Sequence, residues 1–221
     1  MKNKKIMTVI LSILLVTVIT TGIVIASLGG VTQDKKNIFT PGNNIHAKLI
    51  EPNWNPAEGL KLVPGTVIRK DPMIVNSCKV DEYVALKLTF QYKNGTTMSG
   101  ADVRKLLDLL VIDWNPNWVI ASGNPSASPA VQPLVYYYNG VLGAGQTTPA
   151  LFSSIRVKDE ADGLTELQLR WLQGVKIESG SIVADPTGLG GFEIKIEGAA
   201  IQTEGTVNAA AAAPTLIGLF S

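Results

Sequence analysis

One cysteine and one histidine in 221 residues exclude more chemistry than any abundant residue suggests. Cys78 has no intramolecular partner, so a disulfide framework is ruled out. A zinc hydrolase draws its protein ligands largely from histidine, and His46 stands alone, outside any H-E-x-x-H. Its parity beside Lys48 puts it on the polar face of a strand. Cys78 has no histidine placed to activate it, which argues against a thiol protease. Gly-x-Ser-x-Gly and Gly-x-x-x-x-Gly-Lys-Ser/Thr are both absent. Charge is sparse at 17%. The formal +1 includes Lys2, Lys4 and Lys5, so the chain without those three carries −2. No later stretch gathers Lys and Arg among aromatics, which leaves no basis for a nucleic-acid partner. The sequence assigns no catalytic residue, no cofactor and no metal ligand.

What is present is apolar: 46% of the chain, enough to bury a core and offset the ordering entropy. Met1–Lys5 is basic and Ile6–Ala26 is uncharged, the two regions of a secretory leader, with Val24-Ile25-Ala26 as the cleavage site. An uncleaved anchor is the alternative, because such a run is long enough to cross a bilayer core of about 30 Å. Either way the remainder is expected outside the cytoplasm, touching the membrane only through the leader. Ser27–Asn44 has neither helical nor strand period and reads as an arm or linker. The expected division is a signal peptide over 1–26, an N-terminal arm over 27–41 and one domain over 42–221.

Strand signals dominate that domain. Ile45, Ala47 and Leu49 alternate with Asn44, His46 and Lys48. Val84, Leu86, Leu88, Phe90 and Tyr92 share one face of a strand whose other face carries Ala85, Lys87, Thr89 and Gln91. Phe192, Ile194 and Ile196 oppose Glu193, Lys195 and Glu197. Such alternation predicts strands that are buried on one side and wet on the other. Pro64-Gly65 marks a turn, and Pro72 keeps part of Thr66–Asn76 out of a central ladder. Asn139-Gly140 after Val135–Tyr138 signals a type I′ hairpin, Gly143-Ala144-Gly145 a further turn, and Leu151–Val157 a returning strand. Gly198 marks a bulge that keeps Ile201 buried, and Asn124–Pro133 is a surface loop. Three helical pieces are expected: Ala101–Leu110, Gly163–Leu172, and an alanine-rich Val207–Ala213 stopped by Pro214. The pattern predicts an all-β, two-sheet antiparallel sandwich of jelly-roll or Greek-key type, with short helices in the connections.

Four features carry a functional reading beside an ordinary one. Asp159-Glu160-Ala161-Asp162 gathers carboxylates for calcium, or is a solvated acidic turn. Trp54, Trp114, Trp118 and Tyr136–Tyr138 offer a glycan-stacking face, or core packing. Thr187-Gly188-Leu189-Gly190-Gly191 follows no strand-then-helix context and reads as a turn. Cys78 is a packed small hydrophobe, or an exposed thiol able to cross-link chains.

The stretch "GNNIHAKLIEPNWNPAEGLKLVPGTVIRKDPMIVNS" at Gly42–Ser77 resembles the opening of the TasA/camelysin family of exported biofilm-matrix proteins. "YVALKLTF", "YYYNGVLGAGQTTPALFSSIRV" and "FEIKIEGAAIQTEG" continue the resemblance in family order across most of residues 42–206. The chain departs from it at Cys78, where a small turn residue is commoner, and in the tail "NAAAAAPTLIGLFS", which lacks a Trp-containing helix. The resemblance implies a secreted jelly-roll subunit, processed by a dedicated signal peptidase, that assembles with itself into an extracellular fibre or pilus. It also implies head-to-tail assembly by donor-strand insertion. The candidate donor residues are Leu28, Val31, Lys35, Lys36, Ile38 and Phe39, with Lys35, Lys36 and Cys78 as possible cross-linking positions. Two alternatives stand beside it: a camelysin-like secreted metalloprotease, and a monomeric surface adhesin that binds glycan.

Overall fold

The computed structural model describes residues 35–37, 47–55, 57, 63–206 and 208–220, and for 35–37 the backbone alone. The expected leader, the arm residues Leu28, Val31, Ile38 and Phe39, and His46 lie outside the described residues.

Where the sequence alternates most cleanly, the chain is extended. Strands β5 (Glu82–Tyr92) and β12 (Phe192–Gln202) pair antiparallel from Phe192 opposite Tyr92 to Gln202 opposite Glu82, with no break in register. β8 (Val131–Tyr138) pairs with β5, and β7 (Trp118–Asn124) pairs with β8. β1 (Lys35–Asn37) lies parallel on the other edge, giving the order β1-β12-β5-β8-β7. Facing this sheet are β3 (Val67–Arg69), β9 (Phe152–Val157) and β6 (Leu110–Trp114), in the order β3-β9-β6, and the pair β2 (Ala47–Ile50) and β4 (Met73–Asn76). β10 (Val175–Glu178) and β11 (Ser181–Ala184) form a separate two-stranded ribbon. Helix α1 (Gly100–Leu109) starts at the Ser99 cap. Helix α2 (Glu166–Gln173) starts at a Thr165/Gln168 capping box and stops at left-handed Gly174. Helix α3 (Ala209–Gly218) starts at Asn208. The chain is all-β in class, with antiparallel sheets and short helices, as the alternation requires.

One apolar cluster fills the space between the layers. Leu86, Leu88, Phe90, Ile194 and Ile196 from the large sheet meet Leu49, Ile68, Ile74, Phe152 and Ile155 from the facing strands. The inward side of β12 narrows to Gly198 and Ala200. A Cβ on Gly198 would lie 3.6 Å from Ile74 Cδ1 and 3.8 Å from Leu49 Cβ, ordinary contact distances, so β2 and β4 pack over this position with room for one carbon. The expected bulge at Gly198 is not there, because Gly198 sits opposite Leu86 in an unbroken ladder.

The outer face departs from expectation more usefully. Tyr83, Ala85 and Ala199 fall on the side read as wet, yet they are buried with Val135 beneath Ala209, Ala212 and Leu216 of α3. The helix runs through Pro214 instead of stopping at it. Its apolar side docks on the sheet, and that burial outweighs the backbone hydrogen bond lost at Pro214. Pro214→Ala is expected to raise the unfolding free energy by about 2 kcal/mol. Proline costs about 3 in a helix interior, and about 1 is returned through the unfolded chain. Urea denaturation checks this, and an unchanged midpoint would show that the ring carries no strain here.

The Asn139-Gly140 hairpin also fails. Among the described residues only Ser179 is a non-glycine with positive φ, so Asn139 cannot occupy a type I′ turn. β8 is committed to β5 and β7, and the chain runs on along β5 instead of turning back, so that Leu142 and Glu82, at the start of β5, exchange backbone hydrogen bonds of 2.8 and 3.0 Å. The Asn124–Pro133 loop is shorter than expected, because β8 already begins at Val131. There the Gln132 side chain accepts the Phe90 N–H at 2.9 Å.

Candidate functional site

The edge of β12 is where the sequence-derived arm meets the domain. Lys35, Lys36 and Asn37 pair with Ile196, Glu197 and Gly198. β12 is extended over eleven residues, and among the described residues β1 covers three of them. Unpaired N–H and C=O groups along such a strand are a template for further pairing. The opposite edge of the same sheet is less suited to that. β7 shifts register against β8 twice, between Ile120 and Ser122 and between Ser122 and Asn124, and Gly123 sits at φ 83°. Bulges of this kind twist an edge away from a flat partner.

Behind the β12 edge the outward side carries charge held in place. Glu197 is 3% exposed and pairs with Lys87, directly opposite on β5, at 2.7 Å, with Lys195 Nζ at 3.9 Å. The Lys87 ammonium also donates to Phe220 O at 3.2 Å and lies 5.2 Å from the Phe220 ring centroid. The C-terminal turn after α3 therefore closes over the charged row beside the arm. Strand parity alone reads Glu197 as solvated. The signal that finds it is Gly198-Ala199-Ala200, small residues on both faces, which mark a strand covered on both sides.

Of the other candidate residues, Lys35 and Lys36 reach the β12 edge by backbone register. Cys78 lies in the β4–β5 connection and is buried, its Sγ–H donating to Glu82 Oε1 at 2.9 Å. The exposed-thiol reading is corrected, because the thiol is folded into a polar pocket of its own chain. The aromatic residues pack rather than present a face. Trp114 stacks on Tyr136 at 5.1 Å and meets Phe152 edge-on at 5.3 Å. Trp118 is 5% exposed, and its Nε1–H donates to Pro149 O. Burial pushes the Tyr136 phenol up to about 12. Trp54 lies beneath the Lys70 ammonium, 4.5 Å from ring centroid to Nζ.

The acidic turn closes on itself. Asp159 and Asp162 form a reciprocal capping box around a single 3-10 turn at Glu160–Asp162, and Arg156 pairs with Asp162. The Arg156 hydrogen bond, with the Asp159 backbone N–H, holds the Asp162 carboxyl down to about 2. Because that value lies below the ordinary carboxylate range, the stabilisation is present at neutral pH and is lost as pH falls through it. Arg156→Gln is expected to return Asp162 toward the usual range in a carboxyl-carbon NMR titration. An Asp162 that still titrates near 2 would place the cause in the backbone.

Comparison with protein-family models, with curated proteins and with solved structures finds no match.

Proposed function

We propose that the chain is the structural subunit of an extracellular fibre or pilus of the biofilm-matrix type. In this reading it is a secreted jelly-roll β-sandwich, freed from its leader by a signal peptidase. It joins to copies of itself head to tail, the arm of one subunit adding to β12 of the next. The observation that carries this reading is the pairing of Lys35–Asn37 along the outer edge of β12, where among the described residues they cover three of its eleven positions. A longer run of arm in trans gains ladder hydrogen bonds, each worth about 1 kcal/mol net. A heterologous contact of this kind does not close on itself and generates a filament. The resemblance to TasA/camelysin proteins supports the same reading. Of the alternatives, a metalloprotease would need ligands that a single histidine does not supply. The glycan adhesin loses its stacking face to the core.

The arm is cis in one chain and trans in a fibre, and paired cysteines separate the two. Asn37→Cys with Gly198→Cys places thiols at matched positions, and the room above Gly198 admits a Cβ without displacing Ile74 or Leu49. In a Cys78→Ser background, assembled protein is expected to run as a ladder on a non-reducing gel and to collapse to monomer with reductant. A disulfide confined to single chains within fibres would refute strand exchange.

A further inference from the structure

The β10–β11 ribbon is a tight hairpin. Ser179 and Gly180 join its strands with φ 51° and 79°, positive at both central residues as a type I′ turn requires. Glu178 pairs with Ser181, Ile177 with Ile182, Lys176 with Val183 and Val175 with Ala184. One face is therefore apolar, with Val175, Ile177, Ile182 and Ala184, and the other carries Lys176 and Glu178. The base of the ribbon is fixed. Asp185 N–H donates to Gly174 O at 2.7 Å. A Cβ on Gly174 would lie 2.7 Å from Gly190 Cα, and one on Gly188 2.6 Å from Gly174 Cα. Only glycine fits at either position, and the Thr187–Gly191 turn is clamped to the end of α2. Beyond that base the ribbon stands in solvent. Every residue from Lys176 to Ile182 is exposed, Ile177 at 50% and Ile182 at 63%.

Two strands alone are marginal in water, and among the described residues no third strand pairs with either of these. The edge of β10 has a definite pattern. In a two-residue hairpin the closing pair, Glu178 and Ser181, exchanges hydrogen bonds, and alternation then turns the N–H and C=O of Ile177 outward. A second β10 running antiparallel can pair with those groups, Ile177 opposite Ile177. That register sets Lys176 opposite Glu178 of the second copy, and Glu178 opposite its Lys176. Both are non-hydrogen-bonded pairs, in which side chains approach most closely. Within one chain Lys176 Nζ already lies 3.7 Å from Glu178 Oε2, so pairing builds a square of alternating charge. Centring the pair on Lys176 or on Glu178 instead sets like charges directly opposite, which destabilises. β11 carries no charged residue, so its edge has no such selection.

We propose that β10 is an interaction edge for a second copy of this chain, the two strands pairing antiparallel about a twofold axis at Ile177. The contact merges two ribbons into one four-stranded sheet. Ile182, Ile177 and their counterparts form a row on one face, so apolar neighbours replace water along their sides. The contact is isologous and closes on a pair, unlike the arm on β12. It is also small, well below the ~800 Å² per partner of a stable dimer. It therefore holds weakly between single subunits and firmly where many are aligned. On the fibre reading, it joins filaments side by side.

The test is a disulfide at the axis. Cα atoms across a hydrogen-bonded pair stand about 5.5 Å apart, within disulfide reach, so Ile177→Cys in a Cys78→Ser background links two chains by itself. Ile182→Cys is the control, because three strand spacings of about 4.8 Å separate its two copies. Oxidation of the concentrated full chain is expected to give about tenfold more covalent dimer from Ile177→Cys than from Ile182→Cys. Lys176→Glu or Glu178→Lys, added to Ile177→Cys, should each cut the dimer about tenfold, since two cross-strand pairs change from opposite to like charge. An equimolar mixture of those two variants should restore it as a heterodimer, one copy presenting two glutamates and the other two lysines. Rescue by mixing excludes misfolding as the cause of the loss. The same dimer is expected from a chain deleted for Ser27–Lys36, which keeps failure here distinct from failure of the assembly reading. No dimer from Ile177→Cys, equal dimer from Ile182→Cys, no loss with either charge variant, or a mixture without heterodimer would each overturn the proposal.

Discussion

Lys70→Met is expected to lower the unfolding free energy by about 3–5 kcal/mol, the range for breaking one partner of a buried ion pair. Lys70 is fully buried and Glu51 is 7% exposed, with Nζ and Oε1 2.8 Å apart. Removing the ammonium strands a carboxylate in the interior and strips the cation from the face of Trp54. The neighbouring Asp71 doubles the tie. Its carboxylate accepts from Asn53 N–H at 3.0 Å and from Asn53 Nδ2 at 2.8 Å, so the chain after β2 is pinned to the β3–β4 connection at two adjacent residues. The cost is therefore expected to appear as earlier unfolding of the whole domain in urea. Lys70→Met combined with Glu51→Leu should recover most of the loss, because an apolar pair of similar volume removes both desolvation penalties. A single variant within about 1 kcal/mol of the parent, below that range, would mean that solvent reaches Glu51 when the lysine is gone.

This ion pair also shows where sequence reading stops. Lys70 and Glu51 are charged residues in a short turn-rich stretch, and nothing local distinguishes them from solvated ones. Their burial follows from layers brought together across the fold. The long strands were legible because period-2 alternation is a local signal, and β5 and β12 carry it over most of their length. The faces read as wet are covered where α3 docks, since that helix follows β12 in the chain and its docking does not change the period of β5. The hint was chemical: the covered stretch of the outward face carries Tyr83 and Ala85, and charge first appears at Lys87. Asn139-Gly140 and Pro214 failed for the same reason, a strong local preference outweighed by pairing or packing elsewhere. As for the candidate site, lack of period identified the arm. Its partner strand was not legible, because parallel pairing between Lys35–Asn37 and Ile196–Gly198 joins the two ends of the chain.

Deletion of Ser27–Lys36 behind an intact leader is expected to abolish fibres while leaving a secreted, folded subunit. Among the described residues, the main cluster formed by the two layers and the smaller cluster under α3 are built from Ala47 onward, so the domain is expected to retain a core. What disappears is the pairing of Lys35 and Lys36 on the outer edge of β12, and with it the head-to-tail contact. An arm of about ten residues buries on the order of 400 Å² of apolar area, roughly 10 kcal/mol gross before ordering costs, so its loss should bring assembly below detection rather than weaken it. Negative-stain electron microscopy of the secreted deletion variant beside the parent is the direct measurement. The account predicts filaments from the parent and dispersed monomers from the variant, while filaments of normal length and abundance from the variant would contradict it.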